Sequence, residues 1–369
     1  MVDKLRMTEE FCRLVAIDSI SFREKNMAAE LTRVLEELGF DVTMDGAGEY
    51  YQSECGNLYA RLKGDLKGDP ILFSSHMDTV EPGIGKKAIL QEDGTITSDG
   101  TTVLGADDLS GIVSILEAVR TIREEKIPHR SIEILFTIAE EVYVRGSEVF
   151  DFTKIKAREA YVLDLDGPIG RAAYKAPTFI SFTAAINGKA SHAGFAPEKG
   201  IHAIAIAAEA IVRIPQGKVD DETTVNIGMI EGGTATNIVP ERCILKGEIR
   251  SHSHEKAMAK AREIERIFHD TANHRMGTCD YQPVILSFAY HVAESHPVIS
   301  RFIKACDELS IAPELIETMG GSDNNKFLQE GITGIVIACG MHQVHSCKEY
   351  THVDDLEKCC QLLVKLMTS

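Results

Sequence analysis

The chain has 369 residues, more than one hydrophobic core usually serves, so two domains are expected. Its composition, 44% hydrophobic and 26% charged, is that of an ordinary globular protein with no stretch apolar enough to span a bilayer. A formal net charge of -17 argues against nucleic-acid or anionic-membrane partners.

The N-terminal "MVDKLRMTEEFCRLVAIDS" carries charges through its first ten residues and lacks a signal-peptide core or cleavage site. It reads as a helix with Thr8 as N-cap and Phe11, Leu14 and Val15 on one face. Residues 26–40 place Met27, Leu31, Val34, Leu35 and Leu38 at helical spacing, with Gly39 where a helix-terminating glycine is expected. Strand-like runs follow: "DVTM", "NLYARLKG" and "PILFSS". Residues 110–125 form a second amphipathic helix. "SIEILFTIA" (131–139) and "EAYVLDL" (159–165) are apolar with little alternation, as expected of parallel strands covered on both faces.

The pattern changes near residue 177. "TFISFTAAING" alternates like a half-exposed strand. A helix, "IHAIAIAAEAIVRI", is followed by two strands, "TTVNIGMI" and "ATNIVPERCILKGEIR", joined through Gly232-Gly233. A helix from His254 and the strand "DYQPVILSFAY" complete the set. Strand, helix, strand, strand, helix, strand is the split βαβ order of a ferredoxin-like unit. After about residue 290 the helix-and-buried-strand style returns. The expected organisation is an α/β domain (1–176 and 290–369), a mixed or mostly parallel sheet with helices on both faces, interrupted by a ferredoxin-like α+β lid (177–289).

Nine scattered cysteines, with no Cys-x-x-Cys pair and with Cys359 next to Cys360, fit reduced thiols in a cytoplasmic protein. In open parallel sheets, functional groups gather at the carboxyl ends of strands. After "ILFSS" come His76 and Asp78. After "IEILFTIA" come Glu140 and Glu141. After "AYVL" comes Asp164, with Asp166 as a competitor. After "GIVIACG" come His342 and His345. Asp107 and Asp108 precede the helix 110–125. Five segments thus deliver imidazole or carboxylate to one rim, which points to a shared metal site. Imidazole and carboxylate without thiolate suit zinc, and manganese or cobalt as well. The acidic groups are too many for one tetrahedral ion and suit two.

The stretches "SSHMDTVEPG", "DGTTVLGADDLSGIVSILEA", "FTIAEEV", "SHAGFAPEKGIHAI", "GGTATNIVPE", "GGSDNNKF" and "HSCKEY" resemble, in this order, the dinuclear-zinc exopeptidases of the peptidase T, carboxypeptidase G and aminoacylase family. The resemblance covers nearly the whole chain and is closest to the peptidase T (tripeptidase) branch. It implies a zinc-dependent exopeptidase-like fold with a lid that often dimerises. It also implies two ions per chain, bridged by Asp107. His76 and Asp164 would complete one site, Glu141 and His345 the other. Asp78 would orient the His76 imidazole, Glu140 would be the general base acting on a two-metal activated water, and the Asp107–Asp108 peptide would be cis. For the lid, the resemblance implies substrate contacts from His192, which would polarise the carbonyl, from Asn237 and from Arg250, a carboxylate clamp; the Gly320-Gly321 loop would present backbone groups. The "HSH" at 252–254 looks metal-like but opens a helix, where Ser251 or Ser253 serves as N-cap. After the glutamates, Tyr143 and Arg145 stand where the family usually has smaller residues.

The expected activity is metal-dependent hydrolysis of short peptides, in the manner of a tripeptide aminopeptidase, by a cytoplasmic homodimer. An N-acyl amino acid deacylase or a carboxypeptidase would use the same rim. A catalytically silent metal- or peptide-binding protein would not need Glu140. The paired glutamates carry one structural demand. Neighbouring strand residues point to opposite faces, so strand geometry must end or bend at Ala139 for both to reach one site.

Overall fold

The computed structural model describes residues 2–369 as two compact units. The larger comprises the chain up to Lys175, His291–Thr318 and Ser322–Ser369; the smaller comprises Ala176–Tyr290 and Met319–Gly321. The short segment Met319–Gly321, expected in the α/β part, groups with the inserted unit.

The larger unit is built on a mixed sheet. Its strands run in the order Asp41–Met44, Leu58–Leu62, Ile132–Thr137, Ile71–His76, Glu159–Leu165, Thr333–Ala338 and Arg171–Ala176. The central strands from Ile132–Thr137 to Thr333–Ala338 are parallel, and the flanking ones antiparallel. Every residue of Ile71–His76 and Ile132–Thr137 is buried, as continuous apolar runs covered on both faces should be. Helices Ala106–Glu125, Pro297–Glu308 and Asp323–Gln329 pack against these strands. The parallel register aligns His76 with Thr137, so the loops that follow both strands leave the sheet at the same end.

The N-terminal helix spans Lys4–Val15 and is capped by Asp3, whose carboxylate accepts the Arg6 N–H, not by Thr8. Thr8 lies one turn inside and donates its hydroxyl to the Lys4 carbonyl. The sequence misleads here because both residues are good cap formers. Only Asp3 precedes the first turn and reaches its free amides. At the other end of the next helix, Gly39 adopts the left-handed conformation (φ 82°) expected of a terminating glycine.

In the smaller unit, strands Thr223–Gly232, Arg242–Ser251, Thr178–Asn187 and Thr278–Ser287 form an antiparallel sheet in that order. Helices Ala203–Arg213 and His254–His274 pack on it around Ile180, Phe182, Ile206, Leu245, Ile264 and Phe268. With strand order 4-1-3-2, this is the ferredoxin-like arrangement. The segment after Gly232 differs from expectation. Ile238–Val239 pairs with Ser191–His192, and the next sheet strand starts only at Arg242, past Pro240. That detour brings the loops of His192 and Asn237 together, with the Ala193 N–H donated to the Asn237 carbonyl at 3.0 Å. Ser253 caps the helix His254–His274. All nine cysteines are unpaired, and among the described residues no helix is long and apolar enough to cross a membrane.

Candidate active site

The strand Ile132–Thr137 ends two residues before Ala139, which takes a left-handed conformation (φ 50°). Beyond this bend, four consecutive amides have left the sheet ladder, and each is met by a buried side chain. Ile138 N–H donates to Asn57 Oδ1 (3.0 Å) and Ala139 N–H to Glu24 Oε1 (2.9 Å). Glu140 and Glu141 N–H donate to the two carboxylate oxygens of Asp78 (2.9 and 3.3 Å). A buried amide without a partner costs roughly 1–3 kcal/mol, so these three side chains make the bend tenable. Gly146 closes the loop against Ile138 and Asn57. A Cβ there would lie 2.3 Å from Asn57 Oδ1 and 2.4 Å from the Ile138 carbonyl oxygen.

Asp78 was expected to orient the His76 imidazole. Both its main-chain oxygen, 3.0 Å from His76 Nδ1, and its nearer carboxylate oxygen, 3.4 Å away, face that imidazole. The carboxylate also serves the amides of the bend, and Ser21 Oγ donates to it at 2.7 Å.

On the inner side of the bend, the side chains expected at strand ends come together. His76 Nε2 is 3.0 Å from Asp107 Oδ1 and 3.9 Å from Asp164 Oδ1. His345 Nε2 is 3.3 Å from Asp107 Oδ2 and 2.9 Å from Glu141 Oε2. Asp107 therefore turns its two oxygens toward two different imidazoles. The alternatives fall elsewhere. His342 pairs with Asp355 (3.2 Å) and stacks on Tyr350, and Asp166 is exposed beyond the strand end. The Asp107–Asp108 peptide is cis. Asp108 points away from the imidazoles, to the Ser75 hydroxyl and the His76 amide.

Two sets of ligand atoms lie within 4.8 Å of one another: His76, Glu140 and Asp164, and His76, Asp107 and Glu141. The first set contains Glu140 where the sequence reading put Asp107. The donor set fits divalent cations on two grounds. Four carboxylates face two imidazoles, and Glu141 Oε1 is buried without a hydrogen-bond partner among the described residues. Without cations, burial and then the charge of Asp164 push the Glu140 carboxyl well above its usual range. Burial and then Asp107 do the same to Asp164, and they also raise Glu141. The His345 imidazolium, hydrogen-bonded first to Asp107 and then to Glu141, is raised to about 10. Burial works to raise Asp107 as well, but its bonds to His345 and His76 hold it low.

Two further residues shape the site: Glu24, and Glu349 of the "HSCKEY" stretch, to which the sequence reading gave no role. Glu349 is buried and accepts the amides of Leu104, Gly105 and Asp107 at 2.7–2.8 Å, fixing the turn that presents Asp107. Glu24 was described above. Both bind backbone amides, which no spacing rule reveals.

The substrate-binding candidates His192, Asn237, Arg250, Gly320 and Gly321 all belong to the smaller unit, the two glycines against expectation. His192 is exposed. Its Nδ1 accepts the Gly194 and Phe195 amides (3.1 and 3.2 Å), which leaves Nε2 to carry the proton of the neutral ring. Arg250 lies over the Phe179 ring and is held by Glu248 (2.9 Å) and the Met319 carbonyl (2.9 Å). It is thus paired with a carboxylate of its own unit.

A mixed α/β sheet with histidines and carboxylates converging at the carboxyl ends of its parallel strands defines a metal-dependent hydrolase. Comparison with known proteins specifies the kind. The peptidase dimerisation domain family matches residues 175–276, and peptidase family M28 matches residues 57–209. The structure of aminopeptidase PepT from Bacillus cereus ATCC 10987 is similar with TM-score 0.93 and 38% identity, covering 100% of this chain and 98% of that one. That of a tripeptidase from Staphylococcus aureus subsp. aureus Mu50 gives TM-score 0.97 and 32% identity over the same shares. Peptidase T of Escherichia coli K12 is 28% identical over 377 residues, covering 91% of this chain and 89% of the relative. The chain belongs to the peptidase T family of metallopeptidases. It is a metal-dependent exopeptidase, a hydrolase of peptide bonds.

The carboxylate excess predicts that divalent cations stabilise the fold. Chelation should lower the thermal midpoint and added zinc should restore it. The stabilisation is about 4 kcal/mol with free ion a thousandfold above its dissociation constant. Asp107→Asn should remove most of the difference. A midpoint indifferent to chelator would show that the cluster holds no ion.

Proposed function

We propose that this protein is an aminopeptidase of tripeptides that works with two divalent ions, zinc by the chemistry of the donors. The observation that carries the reading is Asp107, whose two oxygens face His76 and His345 separately. His76 and Asp164 would hold one ion and His345 and Glu141 the other, with Asp107 shared. Relatives described as an aminopeptidase and as a tripeptidase support the substrate class.

When bound, the ions supply Lewis-acid polarisation and a water acidified toward neutral pH. The chain does the rest. Glu140, next in sequence to a proposed ligand but bonded to neither His345 nor Asp107, takes the proton of the attacking water and delivers it to the leaving amine. Where the site is buried, around His76, Asp107 and Asp164, the low dielectric strengthens each charge interaction. His192, with Nε2 protonated, would polarise the scissile carbonyl. Arg250, stiffened by Glu248 and Phe179, would receive the substrate carboxylate. Asn237 and the Gly320-Gly321 backbone would line the same substrate.

Glu140→Gln on a panel of free tripeptides, N-acyl amino acids and C-terminally blocked peptides tests both the base and the substrate. The wild type should release the N-terminal residue from tripeptides. The variant should keep both ions and lose turnover by at least roughly 100-fold. Undiminished hydrolysis by the variant would refute the general base. Preferential cleavage of N-acyl amino acids by the wild type would replace the aminopeptidase with a deacylase.

We further infer a cytoplasmic homodimer formed through the smaller unit. The peptidase dimerisation domain match covers most of it, residues 175–276, and the nine unpaired cysteines suit a reducing compartment. Strand Thr223–Gly232 lies near the sheet edge. Beyond it, Gly217–Lys218 pairs only with Thr224 and Val225, and Met229 and Ile230 are exposed. An edge of this kind invites pairing with a second copy. Lysine at both 229 and 230 should convert the dimer to monomer in sedimentation analysis. A dimer of unchanged affinity would place the interface elsewhere.

A further inference from the structure

We propose that Glu24 is a positioning residue for the catalytic carboxylates, acting through the backbone at Ala139. The inference rests on the role given to Glu140 above. Glu24 falls in none of the chemistry-bearing stretches of the sequence, and its side chain is fully buried. One of its oxygens, Oε1, accepts two amides, those of Ala139 and Phe22, each at 2.9 Å. Both donors belong to non-glycine residues in the left-handed region, at φ 50° and 70°. Such a conformation costs on the order of 1–3 kcal/mol and persists only where the surroundings enforce it. One oxygen therefore ties two strained turns together, and one of them immediately precedes Glu140.

The carboxylate is itself well fixed. Its residue precedes the helix Lys25–Glu37 and accepts the first helical bond, from Ala28 N–H at 2.8 Å. Ser53 Oγ stands 3.4 Å from the second oxygen and also donates to the Phe22 carbonyl at 3.1 Å. Asp78 captures the next two amides, but it cannot hold Ala139. Without Glu24, that amide would be buried and unpaired, and the backbone would relax toward strand geometry. Relaxation would swing Glu140 and Glu141 toward opposite faces. The proposal makes the reach of the side chain decisive, not its charge. Glutamine keeps an acceptor oxygen at the Oε1 position and turns its NH2 toward the Ser53 hydroxyl. Aspartate keeps the charge but is shorter by one carbon–carbon bond of about 1.5 Å.

The test compares Glu24→Gln and Glu24→Asp, both conservative enough to fold, with Glu140→Gln as reference. Turnover of a tripeptide is measured on the metal-loaded enzymes, and hydrogen exchange across residues 138–146 on the metal-free proteins. Glu24→Asp should lose kcat by roughly 100-fold, the scale of a small misplacement of catalytic groups, with KM little changed. It should also speed exchange in 138–146 and not in the rest of the larger unit. Glu24→Gln should restore both readings to near the wild type. The proposal is overturned if Glu24→Asp keeps its kcat, if Glu24→Gln is damaged as badly, or if exchange quickens throughout the unit. Normal turnover by Glu140→Gln would instead refute the base, leaving the exchange comparison to decide the Glu24–Ala139 contact alone.

Discussion

Two adjacent carboxylates can serve one site only if the backbone between strand and site stops behaving as a strand. Ala139 makes that break, and the rest of the site depends on it. A chain that leaves its ladder in a buried interior must find acceptors for every amide it frees. Here Asn57, Glu24 and Asp78 supply them, from three separate segments. Asp78 belongs to the loop that follows His76, so the strand carrying one imidazole also holds the bend carrying both glutamates. Gly146 seals the far side at a distance no side chain allows.

The bend sets up an electrostatic problem that cations resolve. Asp107, Glu140, Glu141 and Asp164 are packed with only His76 and His345 to balance them, and burial drives three of the four carboxyls toward protonation. The folded chain holds this unfavourable charge in place through hydrogen bonds to backbone, before any ion arrives. Glu349 does for Asp107 what Glu24 and Asp78 do for the glutamates: a buried carboxylate accepts several amides of the turn that presents the functional group. Preorganisation of this kind spends folding stability on geometry.

Much of this was legible because parallel sheets deliver chemistry at strand ends. The apolar runs before His76, Glu140 and Asp164 located the rim, and side-chain alternation implied that strand geometry must fail at Ala139. The lid was legible as a strand and helix order, because each of its elements has a clean periodicity. What escaped were residues acting on backbone. Glu24 and Asn57 look in sequence like ordinary polar residues, Glu349 stands in the "HSCKEY" stretch with no role attached, and only the fold shows that their acceptors meet amides far along the chain. Asp78 was recognised for its place beside His76, and its carboxylate also holds the amides of Glu140 and Glu141, 62 and 63 residues along the chain. Thr8 failed for a local reason, since a second competent cap, Asp3, stood five residues before it.

The central claim is that the bend divides the paired glutamates into a ligand and a base. Anomalous diffraction from zinc-loaded crystals measures this directly. The account predicts two peaks flanking Asp107, one beside His76 and Asp164 and one beside His345 and Glu141, with Glu140 bound to neither. A single ion held by His76, Asp164 and Glu140 would contradict it.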